Sequence, residues 1–368
     1  MEMIPVANVI TEEEDAKAVY EVVRSGWISK GKKVEEFERK FSKKVNSRTA
    51  IAVNSGTAAL HTILAALGIG PNDEVILPSL TFISTANAVL YQGATPVLVE
   101  CRSDTFNTTA EAIKKAITPR TKAIITVDMN GMPVDYDSIN ALGRECGLPV
   151  VADSAESLGA VYKGKPIGGV CDIHMFSFFP NKSVTTGEGG MITTNDHELE
   201  ERMRKIMNQG QDGRYNHVML GYNYRMNDIL AALGIVQLKR LDEMMKQKHS
   251  IVCKYNKLLS DFASIELPHV PQFVDRHSWY MYSVKVAEQI RDNVVSYLTE
   301  NMIETRLSFP PIHIQKYYQE RFDFNNESLP ISYSTWKRLI NLPIWPGISK
   351  GQIEYVATKL IEAVEMFS

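Results

Sequence analysis

Lys182 stands at the end of an apolar run. It follows Met175–Phe179 and precedes Thr185-Thr186-Gly187-Glu188-Gly189-Gly190, a turn too rich in Thr and Gly to continue a helix. Residues like Met175–Phe179 are normally buried, so the ammonium is expected to be poorly solvated and its pKa pushed down. An amine that attacks an aldehyde needs that state. The same placement suits a loop lysine that snorkels out of the core. Asp153 ends the run Val150-Val151-Ala152, where a bare carboxylate is costly without a cationic partner. It could hold a heteroaromatic nitrogen in its protonated form, or cap a helix that starts at Ser154-Ala155-Glu156. A third feature is Asn54-Ser55-Gly56-Thr57, between the apolar run Thr49–Val53 and a helical pattern over Ala58–Leu67. Unpaired backbone N–H groups and the helix dipole converge at such a junction to bind anions, and Ser55 alone could simply cap the helix. Together, a Schiff-base lysine, a carboxylate for a pyridinium nitrogen and a phosphate cradle are what pyridoxal 5'-phosphate (PLP) requires.

The elements that must position these residues read as alternating strands and helices. Strands are expected at Glu74–Leu77, Pro96–Val99, Ala123–Val127 and Pro149–Ala152, with helices at Phe82–Gln92, Ala110–Ile117 and Tyr136–Cys146. Continuous apolar strands in this alternation predict a mostly parallel α/β sheet covered on both faces. In such sheets ligands collect at the carboxyl ends of the strands, where Ser55, Asp153 and Lys182 all fall. Helices are also expected at Thr11–Ser25, with Thr11 as cap and Gly26 as stop, and at Val34–Val45. After Leu238 the pattern changes to a charged helical connector, Lys239–Leu259. Residues 1–254 are read as a large cofactor-binding domain that includes the N-terminal segment, and residues 255–368 as a smaller α+β domain.

The composition narrows the function class. Lys plus Arg of 40 against Asp plus Glu of 43 gives a net charge of -3, with no long basic run to attract nucleic acid or a membrane surface. A small-molecule partner is expected. Cys101, Cys146, Cys171 and Cys253 lack metal-ligand or disulfide spacing, which suits reduced thiols and no metal. His197-Glu198-Leu199-Glu200-Glu201 has glutamate where a zinc helix needs its second histidine, so it reads as a solvated helix face. Neither GxGxxG nor GxxxxGK[ST] occurs. No basic N-terminal patch leads into an apolar run and no apolar stretch reaches about 18 residues. The expectation is a soluble, cytoplasmic protein with no membrane partner.

Five stretches then acquire meaning together. Ser55-Gly56-Thr57, Pro78-Ser79-Leu80-Thr81-Phe82, Asp153 to Ala160, Ser177 to Gly190, and Gly221-Tyr222-Asn223-Tyr224-Arg225-Met226-Asn227 resemble, in that order, the motifs of the DegT/DnrJ/EryC1/StrS family of sugar aminotransferases. The similarity runs from about Ile4 to the C-terminus. It is greatest to the perosamine-synthase type, which aminates C4 of a nucleotide-linked 4-keto-6-deoxy sugar. The resemblance implies a fold-type-I, aspartate-aminotransferase-like PLP enzyme that draws nitrogen from L-glutamate by a ping-pong mechanism. By the same resemblance Lys182 forms the Schiff base and Asp153 pairs with the pyridine nitrogen, while Ser177, Ser55, Gly56 and Thr57 hold the phosphate. Phe82 and Ala155 would cover the two ring faces, with Glu156 near the ring hydroxyl. Asn227 would reach the phosphate from a second subunit, which implies a homodimer with a shared site.

Substrate contacts are implied for Trp27, Ser29 and Lys30 in the N-terminal loop and for Arg306 and His313 near Tyr317-Tyr318, although His313 could equally pack in the small domain. Relatives that dehydrate instead carry histidine at the lysine position, and Lys182 argues against that activity. A C3 aminotransferase acting on a dTDP-linked 3-keto-6-deoxy sugar would use the same core residues. A non-catalytic PLP- or sugar-binding regulator would lack the lysine or the aspartate. Which nucleotide, and whether the product enters O-antigen, another polysaccharide or an antibiotic, is not written in these motifs.

Overall fold

The computed structural model describes residues 2–368. Helices α1 (Glu13–Ser25) and α2 (Lys32–Val45) open the chain. The cap of α1 is Glu12 rather than Thr11, because Asp15 Oδ2 accepts the Glu12 backbone N–H at 2.7 Å. Gly26, at φ 77°, ends the helix as expected. Then β1 (Thr49–Val53), α3 (Gly56–Ala66), β2 (Glu74–Pro78), α4 (Ser84–Tyr91), β3 (Thr95–Val99), α5 (Ala110–Ala116), β4 (Thr121–Val127), α6 (Tyr136–Cys146) and β5 (Val150–Asp153) alternate along the chain. Two short strands, β6 (Val161–Tyr162) and β7 (Lys165–Pro166), precede β8 (Ile173–Ser177) and β9 (Gly190–Thr194).

These strands build a seven-stranded sheet in the order β1-β9-β8-β5-β4-β2-β3. All its neighbours are parallel except β9, which runs against both β1 and β8. Both faces are buried, which is why the strands read as continuous apolar runs. Along β1 the alternation is visible: Ala50 and Ala52 join one core with Phe37 and Phe41 of α2, while Ile51 and Val53 join the other with Leu60 and Ile63 of α3. Register then aligns the strand ends. Val127 pairs with Asp153, Asp153 with Met175, and Ser177 with Gly190, which also pairs with Val53. A shared carboxyl edge follows for β1, β4, β5 and β8.

Beyond the sheet come α7 (His197–Ile206), α8 (Asp228–Leu259), β10 (Val274–Arg276), β11 (Tyr282–Lys285), α9 (Glu288–Glu300), α10 (Lys316–Phe322), α11 (Pro330–Arg338), β12 (Leu339–Leu342) and α12 (Lys350–Phe367). The charged run expected to begin a connector at Lys239 is the second half of α8, one helix of 32 residues. Its pattern shifts because its surroundings do. Ala231, Ile235 and Leu238 pack with Phe37 in the sheet's core, whereas Ile251, Val252, Tyr255 and Leu259 enter a separate C-terminal core with Val294 of α9 and Leu360 of α12.

The N-terminal segment also departs from expectation. Ile4 is 1% exposed and belongs to the C-terminal core, not to the large layer. Its N–H donates to Met302 O and its carbonyl accepts the Glu304 N–H, both at 2.9 Å. Burying that side chain contributes about 2 kcal/mol by transfer alone. Residues before α1 therefore strap the C-terminal layer and then cross to the sheet. Among the described residues no helix is long and apolar enough to cross a membrane.

Candidate active site

At the carboxyl edge of the sheet lies a cavity of about 730 Å³. Ser55, Gly56, Thr57, Phe82, Asp153, Ala155, Glu156, Ser177, Lys182 and Arg306, all named from the sequence, line it.

Asp153 closes β5 and is buried. Its Oδ2 accepts the Thr85 hydroxyl at 2.9 Å and its Oδ1 accepts the Ala155 N–H at 3.2 Å. Burial pushes its carboxyl up, against the pull of those two donors and of Lys182. No cation forms an ion pair with it among the described residues, so its negative charge still wants a partner from the cavity.

Lys182 sits on the loop between β8 and β9, with its backbone N–H donating to Phe179 O at 2.9 Å. Its Nζ lies 3.4 Å from Glu156 Oε1 and 4.0 Å from the centre of the Tyr280 ring. The side chain is 11% exposed and turned inward rather than snorkelling, but the expected direction of its pKa is reversed. Burial pushes the ammonium down, yet the Tyr280 hydroxyl and the Glu156 and Asp153 carboxylates outweigh it, and the net displacement is upward. An amine held this way stays charged until something else neutralises or replaces those carboxylates.

Glu156 is held from behind. Asn130, in the left-handed region at φ 58° and ψ 11°, donates its N–H to Glu156 Oε2 at 2.8 Å. Burial raises this carboxyl too, with Lys182 opposing. The turn depends on Gly131, at φ 90°, where an added Cβ would collide with Ser278 Oγ and stand 2.8 Å from Glu156 O. Gly131→Ala is expected to destabilise the fold by ~3 kcal/mol. Urea unfolding of the variant beside wild type reads this directly, and a loss below about 1 kcal/mol would contradict the tight fit of that turn.

The cradle is built at the head of α3. Ser55 Oγ accepts the Ala58 N–H at 3.0 Å, so its side chain is the helix cap. The Gly56 and Thr57 N–H groups point out of the first turn, as they must in any α-helix. Space at Gly56 is tight: a Cβ would stand 3.0 Å from Ser177 Cβ and 3.1 Å from Met175 Cε. Ser177 ends β8 beside it, its hydroxyl 3.5 Å from the Phe179 N–H. Phe82 is half exposed and tilted against Phe309 with ring centres 5.1 Å apart, and it lines the cavity together with Ala155.

Other named residues lie elsewhere. Asn227 caps α8 through Leu230 N–H at 3.0 Å and is not on the cavity wall. Trp27, Ser29 and Lys30 share that location: Ser29 O accepts the Asp228 N–H at 3.0 Å, and Trp27 is exposed. None of the four touches the cavity of its own chain. His313 corrects the expectation of a substrate contact. It is fully buried, with Nδ1 2.7 Å from Ser79 Oγ at the end of β2, and burial pushes it down, so it packs as a neutral imidazole.

Three groups in the site had not been singled out from the sequence. Thr85 aims Asp153, Asn130 aims Glu156, and Tyr280 covers Lys182. The Pro78 to Phe82 stretch hinted at Thr85, which lies four residues past Thr81 and 3.0 Å from its hydroxyl. Nothing local marks Asn130 or Tyr280, since each is delivered by tertiary packing.

The donor set suits PLP. A buried carboxylate lacking an ionic partner matches a protonated ring nitrogen, a glycine-tight helix N-terminus matches a phosphate, and the buried amine matches an aldehyde. Among the described residues no cluster of His, Cys, Asp or Glu could hold a metal ion.

A family model described as the DegT/DnrJ/EryC1/StrS aminotransferase family matches residues 9–361. The chain is similar to the GDP-perosamine synthase of Caulobacter vibrioides, with 42% identity over 349 residues that cover 93% of each chain. Among solved structures it superposes on S. venezuelae DesV in complex with a ketimine intermediate, at TM-score 0.95 and 33% identity over 99% of both chains. The PLP form of a putative sugar aminotransferase from Streptococcus pneumoniae gives TM-score 0.94 and 29% identity over 100% of both.

Proposed function

The chain belongs to the DegT/DnrJ/EryC1/StrS aminotransferase family, and from that premise we propose that it transfers an amino group from L-glutamate to C4 of a GDP-linked 4-keto-6-deoxy sugar. The observation that carries the chemistry is the sheet-edge cavity that holds both a buried Asp153 without an ionic partner and Lys182. The substrate follows the named activity of the C. vibrioides relative.

PLP, when bound, supplies the carbonyl that captures amines and the electron sink that lets a neighbouring C–H bond ionise. Asp153, fixed by Thr85 and the Ala155 N–H, would hold the ring nitrogen's proton. The Gly56 and Thr57 N–H groups with the Ser177 hydroxyl would hold the phosphate, and Phe82 and Ala155 would bracket the ring. Once its amine is free, Lys182 Nζ takes the proton from Cα of the amino donor. In the second half-reaction Nζ delivers a proton to the carbon that receives nitrogen. Tyr280 and Glu156 position that nitrogen between the two tasks. The keto acid leaves before the sugar enters, so the kinetics are ping-pong. Arg306 lines the cavity without an ion pair among the described residues, and would meet an anionic group of either substrate. Four unpaired cysteines suit a reducing cytoplasm.

We further propose that two copies complete the site. Asn227 and the 27–30 loop share one surface away from their own cavity. Nearby in sequence, Tyr215, Val218 and Leu220 stand exposed, an apolar patch that a second copy would cover.

The substrate reading is tested by incubating the holoenzyme and L-glutamate with GDP-, UDP- and dTDP-linked keto sugars and locating the new C–N bond by NMR. The expected result is fastest 2-oxoglutarate release with the GDP-linked 4-keto-6-deoxy sugar and nitrogen at C4. Nitrogen at C3 of a dTDP-linked 3-keto-6-deoxy sugar as the preferred product would overturn it.

A further inference from the structure

Next to the active-site cavity, sharing the Ala7–Val9 strap, Pro180–Lys182 and Tyr280 with it, lies a smaller cavity of about 30 Å³. Its walls come from the N-terminal strap, the 180–185 loop and the middle of α8. Two lysines line it, Lys182 and Lys248, and no carboxylate does. Lys182 is already paired with Glu156. Lys248, on α8, is 5% exposed and has neither a hydrogen bond nor an ion pair among the described residues. Ser183, 8% exposed, also lines the cavity, and its hydroxyl has no partner. Asn181 on the same wall leaves its side-chain oxygen unpartnered, and a half-turn of that amide would present its NH₂ instead.

A buried ammonium costs several kcal/mol unless a counter-charge or a strong acceptor meets it. Burial, with Lys182 adding to it, pushes Lys248 down to about 8, so it is still mostly charged at neutral pH. The other titratable neighbours offer it no negative charge. His277 is neutral, pushed down to about 3 by burial and by Lys248 itself, and burial raises the Tyr280 phenol. The walls thus supply positive charge and hydrogen-bond donors in a space that admits one monatomic ion or two waters.

We propose that this cavity is a binding site for a single monatomic, monovalent anion of about chloride size, held by the Lys248 ammonium and the Ser183 hydroxyl with the Asn181 amide as third donor. Because Asn181 and Ser183 flank Lys182 in the chain, the bound anion tethers both shoulders of the loop that carries the reactive amine.

A crystal of the holoenzyme soaked in sodium bromide is expected to show an anomalous peak in this cavity. In solution at constant ionic strength, the holoenzyme is expected to melt about 2 °C or more higher in sodium chloride than in sodium gluconate, with a saturable dependence on chloride. Lys248→Met should melt at the same temperature in both salts, and Ser183→Ala should need more chloride for the same shift. A bromide soak without a peak at Lys248, or wild-type melting that is identical in the two salts, would overturn the proposal. Both readings use wild-type protein, so the outcome stands even if Lys248→Met fails to fold.

Discussion

Lys182→Ala is expected to lower multiple-turnover kcat by at least about ten-thousandfold while leaving the rest of the cavity in place. The site contains no substitute for this amine. Glu156, 3.4 Å away, is tethered by the Asn130 N–H and raised by burial. Tyr280 presents its ring to the lysine, and its phenol is raised as well. The variant should still retain PLP through the α3 cradle and Asp153, so loss of turnover with cofactor present separates chemistry from binding. A kcat within tenfold of wild type would remove Lys182 from the mechanism. The same variant tests the shared site. Refolded together with Asn227→Asp, itself expected to be impaired, it should recover part of the activity in mixed dimers, since one of their two sites would keep both residues. No recovery would mean that each chain is complete alone.

Asp153→Asn is expected to act in opposite directions on function and on stability. Its kcat should fall on the order of a thousandfold, because a neutral amide cannot hold the ring nitrogen's proton. Without cofactor, the variant should be the more stable protein. Asp153 lies above its ordinary 3.8 in the folded chain, and Glu156 lies above 4.5, both mainly through burial. The folded state therefore keeps protons that the unfolded chain has released. For each group this stabilising term is fully present below the ordinary value and is lost as pH rises through the raised folded value. The amide escapes that loss. Melting temperatures of the cofactor-free proteins should diverge in favour of Asp153→Asn as pH rises above the ordinary aspartate value of 3.8. A gap that narrows with rising pH would mean that the carboxylate is not held against its charge.

Much of this site could be read from strand ends. Ser55, Asp153 and Lys182 each follow an apolar run, and in a parallel sheet such runs finish on one edge, so their adjacency came from the strand pattern alone, whereas Ser177 came from the family resemblance. The sign of the Lys182 shift could not be read that way. It depends on Tyr280, which follows β10 nearly a hundred residues later, and on how closely Glu156 approaches. The continuity of α8 was hidden for a related reason. Its apolar stripe changes partners between Met245 and Ile251, from the sheet's core to the C-terminal one, and a change of partner looks in sequence like a change of element. His313 was ambiguous because a buried, neutral imidazole bonded to Ser79 uses the same residue type as a ligand contact. The family motifs assigned Asn227 to a second subunit's site, whereas the 27–30 loop came only as a neighbour of the sugar, because its own residues carry no sign of which cavity they border.

The strap at Ile4 has an evolutionary corollary. Modular exchange of the C-terminal layer between relatives cannot be done with one crossover, because part of that layer's core is encoded at the opposite end of the chain. Ile4 pairs with Ile303, Glu304 accepts the Val6 N–H, and Ile344 donates its N–H to Val6 O. A cut near residue 254 would also sever α8 in its last two turns. Recombination that preserves the fold must move two distant stretches together, so the C-terminal layer and the first few residues of the chain are inherited as a linked pair.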